Sequence, residues 1–174
     1  MFNKVLIATD GSLHAQKAVL IGGDLAAKNN SEVILVHVLL ASELDEDLRH
    51  MLEVEHLVYE FAKYQSGETS EQLGGTGVLP VQAEAAGSQS ALRALGTEIL
   101  TRAEASVKAQ GAKRVSSRLL EGNVISQIMK SIKDEHPDVV VCGAKGLSTF
   151  EQLVLGSVSM KIAQLCPVTC VTVR

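Results

Sequence analysis

The chain contains no tryptophan, and only 3% of its 174 residues are aromatic. Hydrophobic residues still make up 46%, so the core has to be aliphatic. Val, Ile, Leu and Ala cores of this kind are common where helices cover a parallel sheet. Positive charge is not in excess: 16 Lys and Arg stand against 20 Asp and Glu, for a net charge of −4. That balance offers no field for a nucleic-acid backbone or an anionic bilayer surface. No segment approaches the ~20 apolar residues that span a membrane. The opening MFNKVLIATDGS has too short an apolar run for a signal peptide. The expectation is a cytoplasmic location, with neither nucleic acid nor membrane as a partner.

Other absences narrow the chemistry. There are three cysteines, Cys142, Cys166 and Cys170, an odd number with no CxxC pair. Each lies in or beside an apolar segment, so reduced, buried thiols are expected. The five histidines, His14, His37, His50, His56 and His136, are scattered, and no zinc-ligand spacing emerges. GxxxxGK[ST] is missing, which excludes a Walker-type NTPase. GxGxxG does not follow the first strand and GxSxG is absent; these argue against a dinucleotide-binding dehydrogenase and a hydrolase elbow.

What is present is alternation. KVLIAT at residues 4–9 reads as a buried strand, and residues 12–28 carry helical spacing at Ala15, Ala18, Val19, Gly22, Leu25 and Ala26. EVILVHVL at 32–39 is a second strand. Residues 42–60 are acid-rich and read as a helix with a leucine stripe; residues 65–80, with four glycines and one proline, read as a loop. A helix from about residue 88 or 90 to 110 buries Leu92, Leu95, Ile99, Ala103 and Val107. Strands at 115–120, 138–142 and 168–173 alternate with helices after Asn123 and over 157–165. This order predicts a single α/β domain: an open, doubly wound parallel sheet with helices on both faces and right-handed crossovers, and an insert near residues 41–87.

Ligands of such sheets sit beyond the C-terminal strand ends, at the point where strand order reverses. Two of those ends are chemically unusual. Thr9-Asp10-Gly11-Ser12 follows the first strand, and GAKGLSTFEQLVLGSVS at 143–159 follows the fourth. Gly143 and Gly146 lack a Cβ, so positive φ and close approach of an anion are expected there. Gly156 precedes a helix whose first turn holds Ser157, Val158 and Ser159, where free N–H groups and hydroxyls attract phosphate oxygens. Lys145 adds one cation. Asp10 fits a ribose-binding carboxylate as well as a helix cap.

Gly143, Gly146, Gly156 and Ser157 match the G-x2-G-x9-G-[ST] signature, and the chain resembles the universal stress proteins. The resemblance extends through KVLIATDGS, EVILVHV, LEGNVISQI, DVVVCGAKG and CPVTCVTV; only about 41–87 lacks a strong counterpart. It implies a five-stranded sheet in order 3-2-1-4-5 that binds ATP. It implies that Asp10, with Ala8 and Thr9 leading to it, lies near the ribose and base. Adenine contacts fall on the backbone of Val38, and phosphates on Gly143, Lys145, Gly146, Gly156, Ser157, Val158 and Ser159. The nine-residue stretch LSTFEQLVL departs from many members in holding Glu151 and no Lys or Arg. AMP, ADP and a cyclic nucleotide therefore stand beside ATP as ligands, with Mg²⁺ as a companion ion. The resemblance also implies a homodimer joined through residues 168–173.

A nucleotide-responsive regulatory or stress-resistance module needs no catalysis, and no activated nucleophile is evident. The alternatives are a slow Mg-dependent ATPase or phosphotransferase assisted by Asp10 or Ser157, and a dimeric interaction module that binds no nucleotide.

Overall fold

In a computed structural model of the chain, residues 2–39, 81–146 and 156–174 are described, with the side chains of 81–91 left aside. The expected helix at 42–60, the loop at 65–80 and the stretch 147–155 lie outside the described residues. The chain divides into two units, one of Met1–Leu40 with Gly96–Arg174 and one of Ala41–Leu95.

Five strands and four helices are described: β1 (Lys4–Ala8), α1 (Leu13–Asn29), β2 (Glu32–Leu39), α2 (Val81–Ala109), β3 (Arg114–Glu121), α3 (Val124–Glu135), β4 (Val139–Gly143), α4 (Ser157–Leu165) and β5 (Thr169–Val173). All strand pairs are parallel, in order β3-β2-β1-β4-β5. The anticipated doubly wound sheet is present. β1 and β4 are buried on both faces, which is why they read as unbroken apolar runs rather than as alternation.

Alternate residues of β1 divide between two cores. Val5 and Ile7 face Ala18, Val19 and Ala26 of α1 and Leu100, Ala103 and Val107 of α2. Leu6 and Ala8 face Ile128 and Ile132 of α3 and Ile162 of α4. Each fully buried Leu, Ile or Val stabilises the sheet by about 1.5–3 kcal/mol. The stripe of α2 thus includes Leu100 beside the anticipated Ala103 and Val107. That helix also begins at Val81, ahead of the expected residue 88, because the Ala- and Glu-rich start tolerates Gly87.

Capping fixes where the helices begin and stop. Ser12 accepts from the Ala15 amide at the start of α1, and Asn123 accepts from the Ser126 amide at the start of α3. Asn30 and His136 end these helices in the left-handed conformation. Asp138 ties the N-terminus down: its carboxylate accepts from the amides of Asn3 at 2.6 Å and Lys4 at 2.8 Å.

Those two amides, Lys4 first, hold the Asp138 carboxyl below its ordinary value of 3.8. A depressed carboxylate stabilises the fold fully above its unfolded pKa, and the contribution disappears as pH falls through the lower native value. We expect Asp138→Asn to be less stable than wild type at pH 7, with the gap closing as the pH falls below the carboxyl's ordinary value of 3.8. Urea unfolding across that range checks it; a pH-independent gap contradicts the assignment.

Candidate functional site

Strand order reverses between β1 and β4, and the loops that leave these two strands meet there. Ser12 Oγ donates to the Lys145 carbonyl at 3.3 Å, and Ser12 N donates to Asp10 Oδ1 at 3.0 Å. A Cβ built on Gly146 lies 2.6 Å from Asp10 Oδ2. Asp10 thus touches the loop after β4 while shaping the turn before α1. That turn requires Gly11, whose φ of 84° disfavours any side chain.

The end of β2 adds a second wall. Thr9 N donates to the Val36 carbonyl, so Val36 faces β1. Gly122 N donates to the Leu39 carbonyl, so Leu39 faces β3. Peptide groups alternate sides along a strand, which turns Val38 toward β1 just past the last β1–β2 pair, Ala8↔Val36. The Val38 peptide therefore points to the β1 side, beyond the last β1–β2 pair, and has no β1 partner among the described residues. His37 is buried, with Nδ1 2.8 Å from the Thr9 carbonyl. It serves to join the two strand ends, the structural role more usual for such a histidine.

The far side is the start of α4. Gly156 is its N-cap, at φ −73° and ψ 161°, and among the described residues no side chain caps the helix. The first N–H groups of a helix lack intrahelical partners. Here the amides of Ser157, Val158 and Ser159 have no acceptor among the described residues. Ser157 and Val158 are exposed. α1 and α3 use Ser12 and Asn123 for this task, and α4 has no such side chain among the described residues.

Several candidate residues have tasks inside the protein. The Gly156 amide donates to the Ala144 carbonyl at 2.7 Å, which pins the two ends of the 147–155 stretch together. Ser159 is buried, and its hydroxyl lies 2.7 Å from the Ala144 carbonyl and 3.0 Å from that of Gly156. Its single proton is spent there, so the side chain fastens the loop and α4 in place. Gly143 and Gly146 do not adopt positive φ. At Gly143 the reason for glycine is space: a Cβ would stand 2.8 Å from Ala15 N and 2.8 Å from His14 C. Ala8 and Thr9 are buried, and both backbone polar groups of Thr9 are bonded.

Asp10 and Gly146 meet where the loops after β1 and β4 come together, Ser157 and Val158 follow the bare N-cap Gly156, Val38 lies two residues past the last β1–β2 pair, and Lys145 lies in the loop after β4. Sequence reasoning missed Ala144, whose carbonyl anchors Gly156 and Ser159, and Ile99, whose Cγ1 and Cδ1 stand 3.1 Å from a Cβ placed on Gly11. Helical spacing puts Ile99 on the buried stripe, but no local signal marks its contact with Gly11 or the role of Ala144, since both act through residues distant in the chain.

No cluster of three His, Cys, Asp or Glu suited to a metal occurs among the described residues. All three cysteines are free thiols. Burial, and secondarily the neighbouring Cys170, pushes the Cys142 thiol up to about 12, which removes its nucleophilic form at neutral pH. No helix among the described residues is long and apolar enough to cross a membrane.

A family model described as the Universal stress protein family matches residues 1–174. The universal stress protein YxiE of Bacillus subtilis (strain 168) is 26% identical over 173 residues, covering 98% of this chain and 99% of that protein. Among solved structures, a universal stress protein in complex with cAMP superposes with a TM-score of 0.64 at 21% identity, over 99% of this chain and 97% of the other. The universal stress protein of Archaeoglobus fulgidus in complex with dAMP gives 0.57 at 15% identity, over 100% and 98%.

Proposed function

This chain belongs to the universal stress protein family, and we propose that within it the chain binds an adenine nucleotide and acts as a nucleotide-responsive regulatory or stress-resistance module. The observation that carries the reading is the uncapped start of α4, facing the Asp10–Gly146 junction where the sheet reverses. Bare helix-start amides are a phosphate site, because free donors and the positive end of the helix dipole point the same way. The two relatives solved with cAMP and dAMP support the adenine class.

In this reading the phosphates lie on the amides of Ser157, Val158 and Ser159, with the Ser157 hydroxyl beside them and Gly146 leaving room. Asp10 Oδ2 accepts from the ribose hydroxyls, and the Val38 peptide takes the edge of the base. Gly143, Gly156 and the Ser159 hydroxyl contribute by holding the cradle's shape rather than by touching the ligand. ATP, ADP and AMP all present the groups this arrangement recognises. Mg²⁺, if it accompanies a triphosphate, draws its ligands chiefly from phosphate oxygens and water. The protein's own residues bind and orient; none is placed as a nucleophile or base. A homodimer joined along β5, a strand whose outer edge has no neighbour in the sheet, completes the proposal.

The experiment is to denature freshly purified protein and identify the released small molecules by mass spectrometry. An adenine nucleotide at a substantial fraction of one per chain is the expected result. Protein that carries none, and takes up none on incubation with ATP, ADP, AMP or cAMP, overturns the reading.

A further inference from the structure

The opposite end of the sheet, where β4 and β5 begin, carries a groove of about 680 Å³. Its floor and walls are Met129 and Ile132 of α3, Pro137 before β4, and Pro167 and Val168 before β5. Both strands are entered through a proline, whose fixed φ makes these walls rigid. The end of α3 is also fixed, by the left-handed His136 and its N–H bond to the Ile132 carbonyl. A preformed apolar groove loses little ordering entropy when it is filled.

The rim is cationic. Lys130, Lys133 and His136 line it and are exposed. Most basic side chains elsewhere with a partner are paired to carboxylates: Lys28 to Asp24, Arg102 to Glu98, Lys108 to Glu104 and Arg118 to Glu135. Lys130 and Lys133 have no such partner among the described residues. The nearby Glu135 is turned to Lys4 and Arg118, and the exposed Asp134 does not line the groove. A lysine in the last turn complements the helix dipole, which accounts for Lys133. It does not account for Lys130 a turn earlier, or for the apolar floor beneath both.

We propose that this groove docks an acidic, amphipathic segment of a partner protein, its apolar side chains entering between Pro137 and Pro167 and its carboxylates meeting Lys130 and Lys133. The apolar floor and the chain's net charge of −4 disfavour a nucleic acid here. Local positive charge on an acidic protein selects acidic ligands at this spot alone. The groove lies away from the candidate nucleotide site, and this inference stands independently of that reading.

The test uses fluorescence anisotropy with the full chain and a labelled peptide of about twelve residues. Its leucines stand at helical spacing and its other positions are glutamates. Saturable binding to wild type is expected. The double variant Lys130→Glu/Lys133→Glu should weaken binding about tenfold or more while the protein stays folded, its thermal midpoint lowered by no more than a few degrees through the lost helix-dipole pairing of Lys133. A control reversal, Lys17→Glu/Lys113→Glu, should leave peptide binding intact. Three results overturn the proposal: no saturable binding up to about 1 mM, equal binding of a peptide with lysines replacing the glutamates, or equal loss in the control reversal.

Discussion

Gly143→Ala is expected to lower the thermal midpoint by about 3–10 °C, as overpacking of about 1–3 kcal/mol does in a chain of this size. The added methyl would meet Ala15 N and His14 C, both 2.8 Å away. Those are backbone atoms in the first turn of α1, and they cannot swing aside as a side-chain tip can. α1 is itself fixed by the Ser12 cap and by Ala15, Ala18 and Val19 against the sheet. The strain therefore has to be relieved by moving the helix start away from β4. That motion also pulls Ser12 from the Lys145 carbonyl, so nucleotide uptake should fall with stability. Gly146→Ala makes the contrast. Among the described residues its methyl meets only Asp10 Oδ2 closely, a side-chain end that can shift at the cost of the Ser12 N bond to Oδ1, and the midpoint should fall less. Differential scanning calorimetry of the two variants decides the point; equal midpoints would show that α1 does not press on β4 as described.

Gly156→Ser is expected to separate binding from folding. The backbone of Gly156, φ −73° and ψ 161°, nearly repeats that of Ser12, φ −61° and ψ 163°. Serine fits there, because a Cβ meets nothing nearer than 3.4 Å among the described residues. Its hydroxyl can then cap α4 as Ser12 caps α1, by accepting from the amide three residues on. Serine exceeds glycine as an N-cap by only a few tenths of a kcal/mol, so stability should hold or rise slightly. The ligand, however, now competes with an internal acceptor for the same donors. Loss of one charge-assisted hydrogen bond costs about 1.5–3 kcal/mol, or roughly 10- to 100-fold in affinity. A glycine that stabilises α4 less than serine would is thus explained by what it leaves open. Unchanged affinity in a well-folded Gly156→Ser protein would mean that the α4 amides are not the phosphate site.

Much of this fold is legible in the chain because its strands are short apolar runs ended by turn residues. β2 at Glu32–Leu39 and α4 at Ser157–Leu165 fall where the pattern places them, and Asn30, Asn123 and His136 end or begin helices as their chemistry suggests. The glycines were harder to read. Sequence distinguishes neither a glycine needed for φ from one needed for space, nor the partner that claims the space. Gly143 is required by His14 and Ala15, about 130 positions earlier, and nothing local announces that. Ser159 looks like a phosphate donor from its place in the first turn of α4, yet the carbonyl of Ala144 folds back within 2.7 Å of it. The resemblance places adenine on the Val38 backbone, but the side to which that peptide turns follows only from the strand register, which shows β1 ending opposite Val36.

The central claim is that adenine nucleotide binds at the sheet's reversal point through the open amides of α4. Isothermal titration calorimetry of nucleotide-free wild-type protein with ATP, ADP and AMP, with adenosine as the phosphate-free control, tests it most directly. The account predicts saturable binding of the phosphorylated ligands near one per chain, and adenosine weaker by about tenfold or more. Adenosine binding as tightly as the nucleotides, or no heat from any of them at millimolar concentration, would contradict it.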